Sequence, residues 1–289
     1  MEEILQINHK YIVERVIGEG AFGKIYQGYN KKNREPVAIK MSKTDSILIK
    51  NESSILNYLY QHGCRGIPIV HWYGIFNSYY CMVIPLYESS LYLLRNKKEF
   101  YKQTTYSIMV QAIDIIEHIH KQFVIHRDIK PQNFMIRSGE LFLIDFGMAT
   151  FYIDSEKQTI IREEKEETKT QHITGSPKYI SVNIHRGETP SRRDDLISLG
   201  YVLLFLLYGE LDWDTVPYPP ENYQENYEKN HILHYNQQTR LQLKSLENIE
   251  KYCNDQIIIN YLKYCYSLKY EDEPQYSLCK EIFNLSKTI

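Results

Sequence analysis

The sequence predicts an α+β chain in two lobes, a small β-rich N-terminal lobe with one key helix and a larger α-helical C-terminal lobe. Three observations carry this. Residues 11–29, 37–41, 68–76 and 79–86 hold strand-like runs, and the only helical stretch among them lies near 46–61. From about residue 88 the pattern turns mostly helical, at 105–122, 194–208, 240–250, 255–268 and 276–285, with short strand-like pieces at 124–125, 134–137 and 141–144. The 289 residues suffice for one large domain or two lobes sharing a core. Strands first and helices later is an α+β order, and the boundary is drawn between 1–87 and 88–289.

The bulk numbers exclude several classes. Hydrophobic residues make up 43% and charged residues 24%, which is ordinary for a soluble globular protein. A net charge of −2 creates no global field for nucleic acid or an anionic membrane, so neither is expected as a partner. The five cysteines, at 64, 81, 253, 265 and 279, are odd in number and contain no Cys-x-x-Cys pair. That argues against a disulfide framework or a zinc site and fits a reducing compartment, hence a cytoplasmic or nuclear address. The N-terminal MEEILQINHK lacks the apolar core of a signal peptide. The longest apolar run, Leu199 to Tyr208, is about half of the ~20 residues that a membrane span needs, and reads as a buried helix.

The motifs that carry chemistry begin at Gly18-Glu19-Gly20-Ala21-Phe22-Gly23. Glycines let a backbone turn sharply and bring its N–H groups to phosphate oxygens. A dinucleotide-binding fold uses a similar string but continues into a helix; here Lys24-Ile25-Tyr26 continues as strand, which favours a β-hairpin lid over ATP. Lys40 ends the run Val37-Ala38-Ile39-Lys40 and is suited to bridging two phosphates if something positions it. Glu52 is the candidate. It falls on the apolar stripe Leu48, Ile55, Leu59 of the 46–61 helix, where an acid needs a partner.

Two further strings complete the set, His126-Arg127-Asp128-Ile129-Lys130-Pro131-Gln132-Asn133 and Asp145-Phe146-Gly147. Asp128 can orient a hydroxyl and accept its proton. Lys130 can offset charge developing on a transferred phosphoryl group. Pro131 breaks any helix between Asp128 and Asn133, so Asn133 can turn toward a metal. Asn133 and Asp145 offer hard oxygen atoms suited to Mg²⁺ beside ATP. His126 and Phe146 read as packing residues, and Arg127 as an anion-binding residue for a phosphate or for the carboxylates of 163–167. The strings in this order resemble those of a protein kinase.

Past the second string the chain lacks the Ala-Pro-Glu usual at the end of a kinase activation segment. It reads Gly175-Ser176-Pro177-Lys178-Tyr179-Ile180-Ser181-Val182-Asn183, then Ser191-Arg192-Arg193-Asp194-Asp195-Leu196-Ile197-Ser198-Leu199-Gly200-Tyr201. These segments, with Leu262 to Asn284, resemble the casein kinase 1 family of serine/threonine kinases over roughly residues 11–285. The resemblance implies a monomeric enzyme with protein substrates, acidic or already phosphorylated. It implies that Asp195 anchors the catalytic loop, that Ile84 is the gatekeeper and that Pro85, Leu86 and Tyr87 form the adenine-reading hinge. The ATP-binding set is then Ile17, Gly18, Gly20, Gly23, Ile25, Ala38, Lys40, Ile84, Pro85 and Tyr87. Lys178, with Arg127, is the expected substrate anion site. Yet residues 214–228 contain no Lys or Arg, and 163–167 add negative charge. A binding scaffold without turnover and a kinase of small molecules are the alternatives. The first would be favoured by loss of Asp128 or Asp145, and both are present; the second is opposed by the 175–201 segment.

Overall fold

The computed structural model describes residues 5–20, 23–43, 47–97, 102–154, 159–160, 175–216 and 237–284. The acidic run at 163–167, the loop residues Ala21 and Phe22 and most of the segment 214–228 lie outside them. Along the chain run β1 (Gln6–Ile7), β2 (Tyr11–Gly20), β3 (Gly23–Asn30), β4 (Pro36–Lys43), α1 (Ile47–Gln61), β5 (Trp72–Phe76), β6 (Tyr79–Pro85), β7 (Ser89–Ser90), α2 (Leu91–Asn96), α3 (Lys102–Lys121), β8 (Val124–Ile125), β9 (Phe134–Arg137) and β10 (Glu140–Leu143). Then follow α4 (Val182–His185), α5 (Arg192–Tyr208), α6 (237–243), α7 (Leu246–Tyr252), α8 (Gln256–Ser267) and α9 (Tyr276–Asn284).

The chain divides into two compact units, residues 1–90 with 133–150, and residues 91–132 with 151–289. The hairpin β9–β10 belongs to the first because β9 pairs with β7 and the Leu143 N–H donates to Gly66 O.

In the first unit six antiparallel strands run in the order β1-β2-β3-β4-β6-β5. Side chains alternate between the two faces of a strand, and the register decides which face does what. One face carries Ile7, Tyr11, Val37, Ile39, Cys81 and Val83, a closed apolar cluster joined by Tyr26, Met41 and Trp72. The opposite face carries Ile25, Ala38, Lys40, Met82 and Ile84, since Ile25 pairs with Lys40, Lys40 with Met82, and Ala38 with Ile84. α1 buries Ile49, Glu52, Ser53, Ile55, Leu56 and Leu59. Leu48, expected on that stripe, is only half-buried; the stripe begins one residue later, at Ile49.

In the second unit α5 is buried all round, from Asp194 to Leu206, as befits a central helix. α3 and α8 pack against α5, and α9 against both α3 and α8. The single helix expected at 240–250 is two helices. They part at Lys244 and Ser245, where the Ser245 hydroxyl accepts from the Asn248 N–H and starts α7. The strand expected from 68 begins only at Trp72. Among the described residues no helix is long and apolar enough to cross a membrane.

Candidate active site

In the first unit β4 and α1 bring Lys40 and Glu52 together. The Lys40 ammonium donates to Glu52 Oε2 at 2.6 Å and to Asp145 Oδ1 at 2.8 Å. Burial works against the Lys40 charge, but the two carboxylates prevail and hold its pKa well above the usual lysine range. Burial pushes the Glu52 carboxyl upward, with Asp145 adding; Lys40 and the Phe146 N–H pull it down. The two shifts oppose one another. We take the pair as ionised, because an ammonium 2.6 Å away and a backbone donor satisfy the carboxylate.

Asp145 stands at φ 66°, the left-handed region that Asp tolerates better than most residues. It opens the short helical turn Phe146–Met148. That turn is fastened to α1 by Asn51, whose Nδ2 donates to Gly147 O at 3.1 Å and Ala149 O at 3.0 Å. Asn133 lies just before β9, and its carbonyl accepts from the Ile144 N–H at 2.8 Å. The β9–β10 ladder thus sets a buried amide next in register to the residue before Asp145.

The remaining residues expected to bind nucleotide follow the sheet. Gly20 pairs with Gly23 across the β2–β3 turn. Gly23 has φ +125°, and a Cβ there would stand 2.1 Å from Met41 O, so only glycine fits. Gly18 pairs with Ile25, and Ile17 is 42% exposed. Ala38, Ile84 and Tyr87 are buried, Pro85 pairs with Val37, and Tyr87 packs on Phe142. Met82 shares the face of Lys40 and Ile84, as strict alternation from Ile84 requires.

In the second unit the loop after β8 carries Asp128 and Lys130. The Lys130 ammonium donates to Asp128 Oδ2 at 2.6 Å. Ser176 donates its hydroxyl to Asp128 Oδ1 at 2.8 Å, with its N–H at 3.2 Å from the same oxygen. Lys130 also reaches Ser176 Oγ at 3.2 Å. The loop is tied from below by Asp195, which accepts from the His126 N–H at 2.8 Å and the Arg127 N–H at 2.9 Å. Arg127 stands at φ 67°. Gly175 passes so close that a Cβ would lie 2.6 Å from Arg127 O. His126 is fully buried, in line with a packing role.

The segment 175–185 is secured twice. Asp194 accepts from Ser181 at 2.6 Å, Asn183 at 3.0 Å and the Ser191 N–H at 2.8 Å. This joins the Ser-Val-Asn string to the Ser-Arg-Arg-Asp-Asp string. Lys244, fully buried, donates to Pro177 O at 3.0 Å and Ile180 O at 2.7 Å and meets His185 Nε2 at 3.0 Å. Burial, with Arg240 adding, drives its pKa well below the usual lysine range.

The basic side chain Lys178, expected to bind an anion, and its neighbours Arg192 and Arg193 are engaged within the protein. Lys178 is paired with Asp214 at 2.5 Å and lies 4.7 Å over the Phe205 ring. Arg192 donates to Tyr152 and Glu271 O, and Arg193 to Glu188 and Leu268 O. Ser176, Asn51 and Lys244 went unread because their partners are distant in sequence and no spacing marks them.

Among the described residues no group of three or more His, Cys, Asp or Glu could hold a metal on its own. An amide and a carboxylate, Asn133 and Asp145, suit a cation whose remaining ligands come from phosphates and water. The Protein kinase domain family model matches residues 11–281, nearly the whole chain, and the chain belongs to the protein kinase family.

Proposed function

We propose that this protein kinase is a serine/threonine kinase of casein kinase 1 type that uses Mg·ATP and acts as a monomer, in the cytoplasm or nucleus. The observation that carries the serine/threonine reading is the Asp128–Lys130–Ser176 set. A short aliphatic hydroxyl lies 2.8 Å from one oxygen of the base, and the lysine lies 2.6 Å from the other. Asp128 would take the proton of the acceptor hydroxyl as its oxygen bonds to the γ-phosphorus of ATP and the bond from that phosphorus to the bridging oxygen breaks, ADP leaving. Lys130 offsets the charge gathering on the transferred group. Glu52 holds Lys40, which would meet the phosphates of bound ATP, and Asn133 with Asp145 would hold Mg²⁺. When bound, Mg·ATP supplies the γ-phosphoryl group and the divalent charge that neutralises its neighbours. Resemblance of the 175–201 segment to casein kinase 1 supports the finer family reading.

The test is transfer from Mg·ATP to matched peptides with Ser, Thr or Tyr as acceptor, each with and without a phosphoserine three residues upstream. Transfer to Ser and Thr but not Tyr is expected. Faster transfer to the primed Ser peptide would mean that Lys178 exchanges Asp214 for the substrate anion. Equal rates would mean that Asp214 keeps it. Transfer to Tyr alone contradicts the proposal.

A further inference from the structure

Asp195 holds the catalytic loop through two backbone amides, and a third group holds Asp195. His120 Nε2 lies 2.9 Å from its Oδ2. The other nitrogen of that ring, Nδ1, lies 2.7 Å from the Tyr276 hydroxyl, at the start of α9. All three side chains are buried.

The donors can be assigned in turn. Burial raises the Asp195 carboxyl, but His120 and the loop amide of His126 outweigh it and hold its pKa below the usual range, so it is ionised and only accepts. An ionised Asp195 therefore favours the hydrogen on His120 Nε2. Burial, helped by Arg192 and His126, holds the imidazole below its usual pKa despite Asp195, so the ring is neutral and Nδ1 is an acceptor. Burial pushes the Tyr276 phenol up, so it keeps its proton and donates.

We propose that Tyr276 is a positioning residue whose hydroxyl locks His120 as the Nε2–H tautomer and so keeps Asp195 aimed at the backbone of the loop that carries Asp128. Without that hydroxyl the neutral ring can place its hydrogen on Nδ1. Asp195 Oδ2 would then face a lone pair at 2.9 Å instead of a donor. The carboxylate would turn away, and the His126 and Arg127 amides would lose their fixed acceptor. The tautomer claim is independent of the role of Asp128; the rate claim also rests on Asp128 being the base.

The experiment is ¹⁵N NMR of the full chain labelled at histidine, with His120 assigned from the resonance lost in His120→Gln, and steady-state kinetics alongside. The wild type should show Nε2–H at neutral pH. Tyr276→Phe, which keeps the ring packed 5.9 Å from His120, should populate Nδ1–H and lower kcat about 5- to 10-fold, the loss of roughly one hydrogen bond's worth, with KM for ATP unchanged. Tyr152→Phe removes a hydroxyl that donates to the His120 backbone carbonyl at 2.8 Å and should leave the tautomer as in the wild type, which separates ring locking from loss of packing. Nδ1–H or imidazolium in the wild type overturns the proposal. So does a kcat fall in Tyr276→Phe with the tautomer unchanged, or a tautomer change with kcat unchanged.

Discussion

In the first unit Lys40 is fixed by two carboxylates, Glu52 and Asp145, at 2.6 and 2.8 Å. In the second, Asp128 is fixed by a lysine and a serine, and the loop beneath it by backbone amides bonded to Asp195. One arrangement is a charge cluster in which a single ammonium bridges two carboxylates. The other is a framework in which buried carboxylates read the main chain. The charge cluster depends on the identity and length of a few side chains. The framework depends on many weaker bonds whose partners come from α3, α5 and α9. A substitution in the first should therefore damage activity more than stability, and one in the second should damage both.

Lys40→Arg is the largest expected break in the first unit. The guanidinium is longer and planar, so it cannot bridge Glu52 and Asp145 as the compact ammonium does. Turnover should fall roughly 10²-fold or more, with a melting temperature close to that of the wild type; kinetics and calorimetry on one preparation check this. In the second unit Asp194→Ala removes the acceptor of Ser181, Asn183 and the Ser191 N–H together. Unfolding free energy should drop by about 2–4 kcal/mol, and activity should fall with it; a urea titration reads the loss.

Acidification should separate the units again. Burial, then Lys244 and Arg240, lower the His185 pKa from 6.5 to about 2. The folded ring thus stays neutral while the unfolded ring takes up a proton below pH 6.5. Stability from this group is complete above pH 6.5 and declines toward pH 2. Between pH 6.5 and 5 the decline should approach about 2 kcal/mol, and His185→Gln should flatten the slope. An equal slope in that variant would assign the pH dependence elsewhere. Asn51→Ala, the smallest expected effect, removes two bonds from α1 to the turn after Asp145. About 1 kcal/mol of that tether should appear as a severalfold rise in KM for ATP, with the melting temperature little changed.

The same contrast governs what the sequence alone discloses. Glu52 could be read because an acid on an apolar helical stripe demands a cation, and Lys40 lies in the strand just before that helix. Asp128, Asn133 and Asp145 stand in short strings whose residue types are set by the chemistry. The bilobal α+β order was equally legible from the change of period near residue 88. Tyr276, His120 and Asp195 were not legible as a set. They are separated by 156 and 75 positions, and only the packing of α9 against α3 and of α3 against α5 brings them together. Nothing in the local pattern marks Lys244 within the helical stretch expected at 240–250. The break at Ser245 and the carbonyls of Pro177 and Ile180 turn it inward, which local pattern does not encode.

The most direct test of the central claim is single-turnover transfer from Mg·ATP to a serine peptide by the wild type and by Asp128→Asn, with ATP binding measured on the same samples. The account predicts transfer by the wild type, a rate lower by about 10²- to 10⁴-fold in the variant, and equal ATP affinity in both. Transfer by Asp128→Asn within tenfold of the wild type would contradict it, as would a wild type that binds ATP and transfers nothing.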